Sequence, residues 1–366
     1  MTRVLAVRLD SDGDVLLTGP ALRALAATAD RLDLLVSPAG RAAGGLLPGV
    51  DDVLVFDAPW TGFAPPPVDA GAVAALVAGL AGRRYDRAVI FTSFHQSPLP
   101  MALLARLAGV GAVAATSVDY PGSLLDVRHH RPDGLHEVEA ALALARAAGG
   151  ALPAGDDGRL AVRGPLPAAG HLLPDRPYVV LHPGASVPAR AIAPAHAGAI
   201  AAALVAAGWP VVVTGGAAER DVAARVAATA GRGVVAAAAE GAADAPAPEG
   251  AGAAEVVDLA GRTSFAELAA VLAGAAAVVV GNTGPAHLAA AVAAPVVSLF
   301  SPVVPAERWA PYGVDAQVLG DQHAACAGSR ARACPLPGHP CLTGVAPARV
   351  VEAVHALARA RTVVPA

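Results

Sequence analysis

Three carboxylates occupy alternate positions near the start of the chain, in RLDSDGDVLLTGP. They are Asp10, Asp12 and Asp14, with Gly13 beside the last. The stretch follows a strand-like apolar segment and precedes a helical pattern, which predicts a strand-to-helix loop. A carboxylate there can take a proton from a bound hydroxyl, or it can cap the helix. From the residues alone, we expect Asp10 and Asp12 to point into solvent.

A second candidate site follows the strand-like segment AAVVV. The turn consists of Gly281, Asn282, Thr283 and Gly284, and a helix is expected to begin near Pro285. Free N–H groups of a first helical turn, with the positive end of the helix dipole, bind phosphate without a lysine. The alternative is a plain connection in which Asn282 or Thr283 caps the helix.

Two glycine-containing turns upstream offer further polar groups. YVVLHPGASVPAR contains Ser186 and Arg190, and the guanidinium can donate paired hydrogen bonds to a diphosphate. VVVTGGAAER places Gly215 at a strand end and Glu219 where it can accept from a ribose or a base. Arg190 could instead be a solvated residue at a helix start, and Glu219 could instead be a first-turn carboxylate that satisfies the helix dipole.

The segment GRTSFAEL carries a helix-start signal. Ser264 and Glu267 have the spacing of a capping box, so Ser264 is expected to be structural. Arg262 and Thr263 then stay available to line a nucleotide site.

Cysteines cluster near the end of the chain. Cys326, Cys334 and Cys341, with His339, could supply four zinc ligands. The spacing lacks a Cys-x2-Cys pair, and three reduced cysteines are the alternative, so we expect no metal and no cofactor. His136, in HEVE, is expected to make local or acceptor contacts rather than to bind a metal.

The elements that must position these residues alternate between short apolar runs and Ala/Leu-rich helical stretches. The pattern occurs twice and predicts an α/β protein with two Rossmann-like, doubly wound domains that face each other across a cleft. We predict an N-terminal domain at 1–165, a Pro/Gly-rich linker at 166–176, a C-terminal domain at 177–346, and a C-terminal helix and tail at 347–366 that could pack back on the first domain.

Composition excludes several classes of protein. The 366-residue chain has a formal net charge of −4, which does not suggest a nucleic-acid surface. No apolar run reaches the length of a membrane span, and the N-terminus shows no leader, so we expect a cytoplasmic protein. The low-complexity stretch 236–255 predicts a surface insertion.

Taken together, several segments resemble glycosyltransferase family 9, the ADP-heptose heptosyltransferases. They occur in the family's order and are VRLDSDGDVLLTGPALRAL, HEVEAAL, HPGAS, VVVTGGAAER, DLAGRTSFAEL and GNTGPAHLAAAVAAPVVSLF. The resemblance implies a GT-B fold whose first domain binds the acceptor and whose second binds the nucleotide sugar. It also implies that Asp14, in the family's GD motif, is the catalytic base.

The resemblance suggests roles for the other candidates. The donor phosphates and nucleotide are assigned to Ser186, Arg190, Gly215, Glu219, Arg262, Thr263, Thr283 and Gly284. Asn282 and His287 are assigned to the donor sugar, and Asp12 and His136 to the acceptor side. The expected partners are an ADP-sugar and a glycan, lipid-linked or small-molecule acceptor, at the inner face of the membrane if the acceptor is a lipid; the oligomeric state stays open.

Besides an Arg where the family's phosphate loop often has Lys, the chain departs from the family pattern at two positions that affect the substrates. Asn282 stands where the family usually has Asp, and Ala140 where it commonly has Arg after HEVE. The first change leaves the sugar of the donor open, and the second leaves the acceptor open. A sugar-nucleotide epimerase and a nucleotide-sugar binder without activity are the alternative functions.

Overall fold

The computed structural model describes residues 1–62, 64–93, 96–230, 234–236 and 256–363. Contacts divide the chain into two compact units, Met1–Arg163 and Gly164–Ala366. The division falls just before residue 165, where we predict the N-terminal domain to end. The Arg163 guanidinium donates to the carbonyl oxygen of Val50 at 2.6 Å, which ties the end of the first unit to its own body.

The first unit is a parallel sheet with helices. Its described strands are β1 Arg3–Arg8, β2 Arg31–Val36, β3 Asp52–Val55, β4 Arg87–Phe91, β5 Ala112–Thr116 and β6 Val127–His129, and its described helices are α1 Asp12–Ala26, α2 Arg41–Gly44, α3 Ala70–Arg83, α4 Leu99–Leu107 and α5 Glu137–Ala147. The strand order is β3-β2-β1-β4-β5-β6, and neighbouring strands are parallel. This order is that of a doubly wound dinucleotide-binding sheet.

The apolar sequence of β1 follows from its position at the centre of this sheet. β1 lies between β2 and β4, and Val4 to Val7 are all buried because helices cover both faces. The order of the strands reverses between β1 and β4. In open α/β sheets ligands bind at the carboxyl ends of the strands that flank this reversal. The β1–α1 loop with Asp10 and the first turn of α1 with Asp12 and Asp14 lie at that edge.

The second unit repeats the plan with one extra edge strand. Its described strands are β7 Val179–His182, β8 Val211–Val213, β9 Val234–Ala236, β10 Val256–Asp258, β11 Ala277–Gly281, β12 Val296–Leu299 and β13 Ala316–Leu319, and its described helices are α6 Pro194–Ala206, α7 Arg220–Ala230, α8 Phe265–Gly274, α9 Gly284–Ala291, α10 Ala306–Trp309, α11 Pro340–Thr343 and α12 Pro347–Val363. The order is β13-β12-β11-β7-β8-β10-β9, all parallel, and the reversal lies between β7 and β11.

The predicted α/β class with two doubly wound sheets is confirmed. Of the strands, β5, β6, β9 and β13 did not stand out in the sequence, because β5 is rich in alanine and the others are short or partly exposed. The capping box is also confirmed: Ser264 Oγ accepts from Glu267 N at 3.2 Å, and the Glu267 carboxylate accepts from Ser264 N at 2.7 Å.

The last helix, α12, packs on the second unit. It contacts α6, β11 and β12, and Val350, Val354 and Leu357 join the buried core of that unit. The sequence left open whether this helix packs back on the first domain. The second unit already covers the apolar side of α12, so no such packing is needed for that purpose. The low-complexity stretch at 236–255 lies, apart from Ala236, outside the described residues.

By length and composition alone, one segment of the second unit is long and apolar enough to span a membrane. Pro188–Ala206 is 19 residues long and apolar. It is not one continuous α-helix, because Ala191 is extended, with φ −78° and ψ 146°, before α6 begins. α6 then packs against α7 and α12 in the core. This packing accounts for its apolar sequence.

Candidate active site

Asp14 lies in the first turn of α1, directly after the central strand β1. Its Oδ1 accepts from Arg8 Nη2 at 3.1 Å, and its Oδ2 accepts from Ser11 Oγ at 3.1 Å. The side chain is 24% exposed. Ser11, at the N-cap position, makes no side-chain capping bond. The carboxylate is therefore held by two side chains while part of it stays open to solvent.

Arg8 ends β1 and is buried beneath the loop. Its guanidinium lies 2.9 Å from Asp10 Oδ2, 3.1 Å from Asp14 Oδ1 and 3.0 Å from Ser93 Oγ. Burial disfavours the charged form, but the carboxylates of Asp10, Asp14 and Glu137 outweigh it and raise the pKa of Arg8. Arg8 is thus a fixed positive charge at the carboxyl end of the sheet.

The expectation that Asp10 and Asp12 point into solvent is wrong. Asp10 lies between Arg8 and Gln96, whose Nε2 donates to Asp10 Oδ1 at 2.7 Å. Asp12 Oδ1 accepts from the backbone N–H of Ala43 at 2.8 Å. Burial raises the pKa of Asp10 and also that of Asp12, and these hydrogen bonds act in the opposite direction. The backbone N–H of Ala43 in α2 thus binds Asp12, and the side chain of Gln96 after β4 binds Asp10. Both partners are within reach because the β1–α1 loop packs against these two segments.

A pocket opens beside Arg8, between the ends of β4 and β5 and the helix α5. Glu137 in its wall is paired with Arg131 at 2.7 Å, and both side chains are almost buried. Ala140 also lines the pocket, at the position where the family pattern has Arg. His136 caps α5, since its Nδ1 accepts from Val138 N at 3.2 Å. A polar end and an apolar wall suit a hydroxyl-bearing ligand.

In the second unit, the end of β7 faces the turn after β8. His182 Nδ1 lies 3.0 Å from Thr214 Oγ1, and its Nε2 lies 3.8 Å from Glu219 Oε2. Burial lowers the pKa of His182, and the Glu219 carboxylate acts in the opposite direction. Glu219 also accepts from Gly216 N at 2.7 Å, and a Cβ at Gly184 would overlap its carboxylate. Glu219 is thus the first-turn carboxylate that was the alternative to a ligand contact. A contact of Glu219 with a ribose stays a prediction.

The turn after β11 is anchored by Asn282. Its Oδ1 accepts from Ser301 N and its Nδ2 donates to Ser301 O, both at 3.1 Å, and the residue is 4% exposed. Thr283 and Gly284 follow at the start of α9, as predicted. A Cβ at Gly281 would overlap the carbonyl oxygen of Arg190, so the Arg190 turn packs directly against the end of β11.

The predicted donor residues share one edge of the second sheet. They follow β7, β8, β10 and β11, which are adjacent in the order β11-β7-β8-β10. Ser186 and Arg262 are exposed, whereas His287 is buried in α9. The other six candidates are partly exposed residues: Arg190, Gly215, Glu219, Thr263, Thr283 and Gly284. The fold brings these residues to one edge, and their individual roles stay predictions.

Comparison with known proteins decides the family. The model of glycosyltransferase family 9 (heptosyltransferase) matches residues 73–339. The chain belongs to glycosyltransferase family 9. The predicted membership and enzyme class are thereby confirmed. No curated protein matches the chain.

Solved structures similar to this family 9 glycosyltransferase agree with the fold. E. coli ADP-heptose lps heptosyltransferase II has 22% identity and a TM-score of 0.71 over 99% of this chain and 100% of that chain. The family 9 glycosyl transferase of Veillonella parvula DSM 2008 has 15% identity and a TM-score of 0.72 over 98% and 97%. E. coli heptosyltransferase WaaC, solved with ADP-2-deoxy-2-fluoro heptose, has 22% identity and a TM-score of 0.64 over 97% and 99%.

The three cysteines of this family 9 glycosyltransferase lie near one another, since Cys326 and Cys334 both act electrostatically on the Cys341 thiol. Cys326 packs with Val187 and Val303, Cys341 is buried in the main core of the unit, and Cys334 donates to the carbonyl oxygen of Leu336 at 3.4 Å. Burial raises the pKa of the Cys341 thiol. Within the described ranges, no group of three or more His, Cys, Asp or Glu is placed to hold a metal ion.

Several residues of the candidate site were missed by the sequence reasoning. They are Arg8, Ser93, Gln96, Arg131, Glu137, His182, Thr214 and Ser301. Arg8 gave one signal, because a charged residue ending a buried apolar strand needs a partner. The others come from distant segments, and pairing between them cannot be read from spacing.

Proposed function

We propose that the protein transfers a heptose or related sugar from an ADP-sugar to an acceptor hydroxyl, with inversion at the anomeric carbon and Asp14 as general base. The acceptor is a glycan, a lipid-linked sugar or a small molecule, and the reaction takes place in the cytoplasm, at the inner face of the membrane if the acceptor is a lipid. The observation that carries the proposal is the Asp14 carboxylate, which is partly open to solvent and fixed at the ligand-binding edge of the first sheet.

The chemistry needs a carboxylate in this position. The acceptor oxygen attacks the anomeric carbon from the face opposite the diphosphate, and the ionised Asp14 takes the hydroxyl proton as the new C–O bond forms. The bond from the anomeric carbon to the diphosphate oxygen breaks, and ADP leaves with the electron pair. Arg8 and Ser11 keep the carboxylate in one orientation during this step.

The leaving diphosphate is stabilised in the second unit without a metal ion. Arg190, with the N–H group of Gly284 at the start of α9, supplies donors and the positive end of a helix dipole, while the N–H of Thr283 is already bonded to the carbonyl oxygen of Gly281. Pro285 contributes no N–H. The nucleotide is bound by the neighbouring turns, with Ser186, Gly215, Glu219, Arg262 and Thr263 as candidates.

The adenine nucleotide and the sugar are assigned by family likeness and by the β11 turn. The solved relative WaaC carries ADP-2-deoxy-2-fluoro heptose, which supports an ADP-linked donor here. Asn282 has one further N–H and a further lone pair beyond its bonds to Ser301, so it can still contact a sugar hydroxyl. His287 is the second candidate on this side.

The acceptor is assigned to the first unit. The pocket beside Arg8 is polar at its base and apolar along α5, which suits a hydroxyl-bearing part of the acceptor. His136 and Asp12 flank this edge of the sheet. Ala140 leaves room where the family pattern has a long cationic side chain, so the acceptor need not carry the anionic group that an Arg would bind.

Calorimetric titration with ADP, UDP and GDP tests the donor, and turnover of the matching sugar nucleotides with a panel of acceptors tests the reaction. We expect ADP to bind wild type and Asp14→Asn with affinities within about twofold. Transfer by Asp14→Asn should fall by about 10²–10⁴-fold, the usual contribution of a general base. Asp175→Asn, an exposed carboxylate of the second unit, is the matched control and should keep wild-type activity.

Other outcomes would assign other functions. If ADP does not bind, the ADP-sugar donor is wrong. Conversion of a sugar nucleotide without an acceptor would indicate an epimerase. Tight binding with no turnover of any donor would identify a nucleotide-sugar binder, and full activity of Asp14→Asn would overturn the base.

A further inference from the structure

Arg8 contacts two carboxylates, Asp10 in the β1–α1 loop and Asp14 in the first turn of α1. We propose that Arg8 and Asp10 are positioning residues for Asp14: Arg8 orients the Asp14 carboxylate, and Asp10 keeps Arg8 in place when Asp14 has taken a proton. This inference rests on the proposed role of Asp14 as the base. It gives a role to Asp10, which neither the sequence pattern nor the resemblance assigned.

The geometry gives Arg8 different edges for its two acids. Nε lies 2.9 Å from Asp10 Oδ2 in an ion pair without a hydrogen bond from its N–H, while Nη2 donates to Asp14 Oδ1 at 3.1 Å and to Ser93 Oγ at 3.0 Å. A planar guanidinium with its donors in a fixed fork transmits the position of one partner to the other. The side chain is only 4% exposed, so its surroundings determine its orientation.

Asp10 is itself held from the other side of the sheet reversal. Gln96 Nε2, after β4, donates to Asp10 Oδ1 at 2.7 Å, and the backbone N–H of Ser93 donates to Gln96 Oε1 at 3.0 Å. The chain of contacts therefore runs from β4 through Gln96, Asp10 and Arg8 to Asp14.

A second acid beside Arg8 helps to keep this arrangement through turnover. When Asp14 accepts the proton of the acceptor, it becomes neutral and its attraction for Arg8 weakens. Asp10, which lies 2.9 Å from Arg8 Nε and accepts from Gln96, retains Arg8 at the same place. When the Asp14 carboxyl later loses its proton to solvent, the guanidinium of Arg8 is still in position to bind it.

The charges around this chain are few. Asp10 and Asp14 face Arg8 from the β1–α1 loop and α1, and Glu137 faces it from α5 with Arg131 as its own partner. Asp12 is turned toward the N–H of Ala43 at the start of the neighbouring helix. Removing the charge of Arg8 makes a proton on Asp14 more favourable, whereas removing that of Asp10 makes it less favourable.

The test is a ¹³C NMR titration of Asp carboxyl carbons, in which the Asp14 signal is assigned by its loss in Asp14→Asn. We expect its midpoint to move up in Arg8→Gln, by about 1 pH unit or more since an Arg beside an Asp acts on that scale, and to move down in Asp10→Asn. Ser93→Ala removes a neutral partner of the same guanidinium and should leave the midpoint within about 0.2 unit. The acid limb of kcat/KM should move in the same directions.

Arg8→Lys separates orientation from charge. It keeps the positive charge but not the fork, so we expect the midpoint to stay near that of wild type while kcat falls and the KM of the donor does not change. This variant also provides a folded comparison if Arg8→Gln does not fold.

Shifts of the same sign in Arg8→Gln and Asp10→Asn, or no shift in either, would overturn the inference, as would a Ser93→Ala shift of equal size. The titration needs no substrate, so a failure of the positioning role can be distinguished from a failure of the proposed glycosyl transfer. Opposite shifts in a protein that is inert toward every sugar nucleotide would support the charge coupling and refute the proposed function. An active enzyme whose midpoints do not move would refute only the positioning role.

Discussion

Asn282 and Ser301 exchange two hydrogen bonds of 3.1 Å each, from amide nitrogen to carbonyl oxygen and from backbone N–H to amide oxygen. The contact joins the end of β11 to the residues after β12. Only an amide can both donate and accept in this way, because a carboxylate has no donor. The turn that precedes α9 is therefore built for Asn, although the family pattern has Asp there.

The first prediction concerns Asn282→Asp. We expect the variant to unfold more easily by about 1–3 kcal/mol, because Ser301 O loses its donor and a charge becomes buried. Urea unfolding measures the free energy, and calorimetry measures ADP binding, which should weaken as the turn loosens. A variant as stable as wild type would show that the carbonyl oxygen finds another donor.

The second prediction concerns Gly184→Ala. A Cβ there would overlap the carboxylate of Glu219, which is bonded to Gly216 N. We expect a loss of about 1–3 kcal/mol from the overlap, together with weaker ADP binding if Glu219 serves the nucleotide. Gly170→Ala is the matched control, since a Cβ at that position would meet no atom within 4 Å. Loss of stability with unchanged ADP binding would remove Glu219 from the nucleotide site.

The third prediction concerns the buried pair of Arg131 and Glu137, whose side chains are 11% and 4% exposed. Arg131→Met should destabilise the protein by about 3–5 kcal/mol, because it removes the hydrogen-bonded cation of a buried carboxylate. Adding Glu137→Leu should recover much of that loss. A double-mutant cycle by urea unfolding measures the coupling, and additive effects of the two changes would contradict it.

The fourth prediction concerns pH. Burial lowers the pKa of His182 below its ordinary value of 6.5, so the unfolded chain binds a proton at a pH where the folded chain does not. This contribution to stability is present above pH 6.5 and is lost as the pH falls below it. The free energy of unfolding should therefore be lower at pH 5.5 than at pH 7.5, and burial has the same effect on the pKa of His129, His196 and His339.

His182→Asn isolates the most deeply buried of these histidines. The amide can replace Nδ1 beside Thr214 but does not titrate, so its loss of stability between pH 7.5 and 5.5 should be smaller than that of wild type. His323→Asn, in an exposed position, is the control and should keep the wild-type difference. An equal difference in His182→Asn would contradict the assignment.

Much of the fold could be predicted from local pattern. Apolar runs such as that of β1 and β7 are long enough and apolar enough to identify buried parallel strands, and the Ser264 capping box marks a helix start without any tertiary information. The strands β5 and β6 were missed because alanine and short length give little local signal, and their pairing with the sheet stabilises them.

By itself, the sequence determined the α/β class, the two doubly wound sheets, the family and the position of Asp14 at a strand-to-helix junction, because these depend on residue order and periodicity over short distances. Tertiary structure alone decided the partners of the carboxylates. Asp10 and Asp12 were expected in solvent, yet Gln96, from far along the chain, and Ala43 hold them. Asn282 likewise meets Ser301 only because β11 and β12 are neighbours. A buried polar group takes whichever partner the fold brings within hydrogen-bonding distance, and that distance is set by the packing of whole elements.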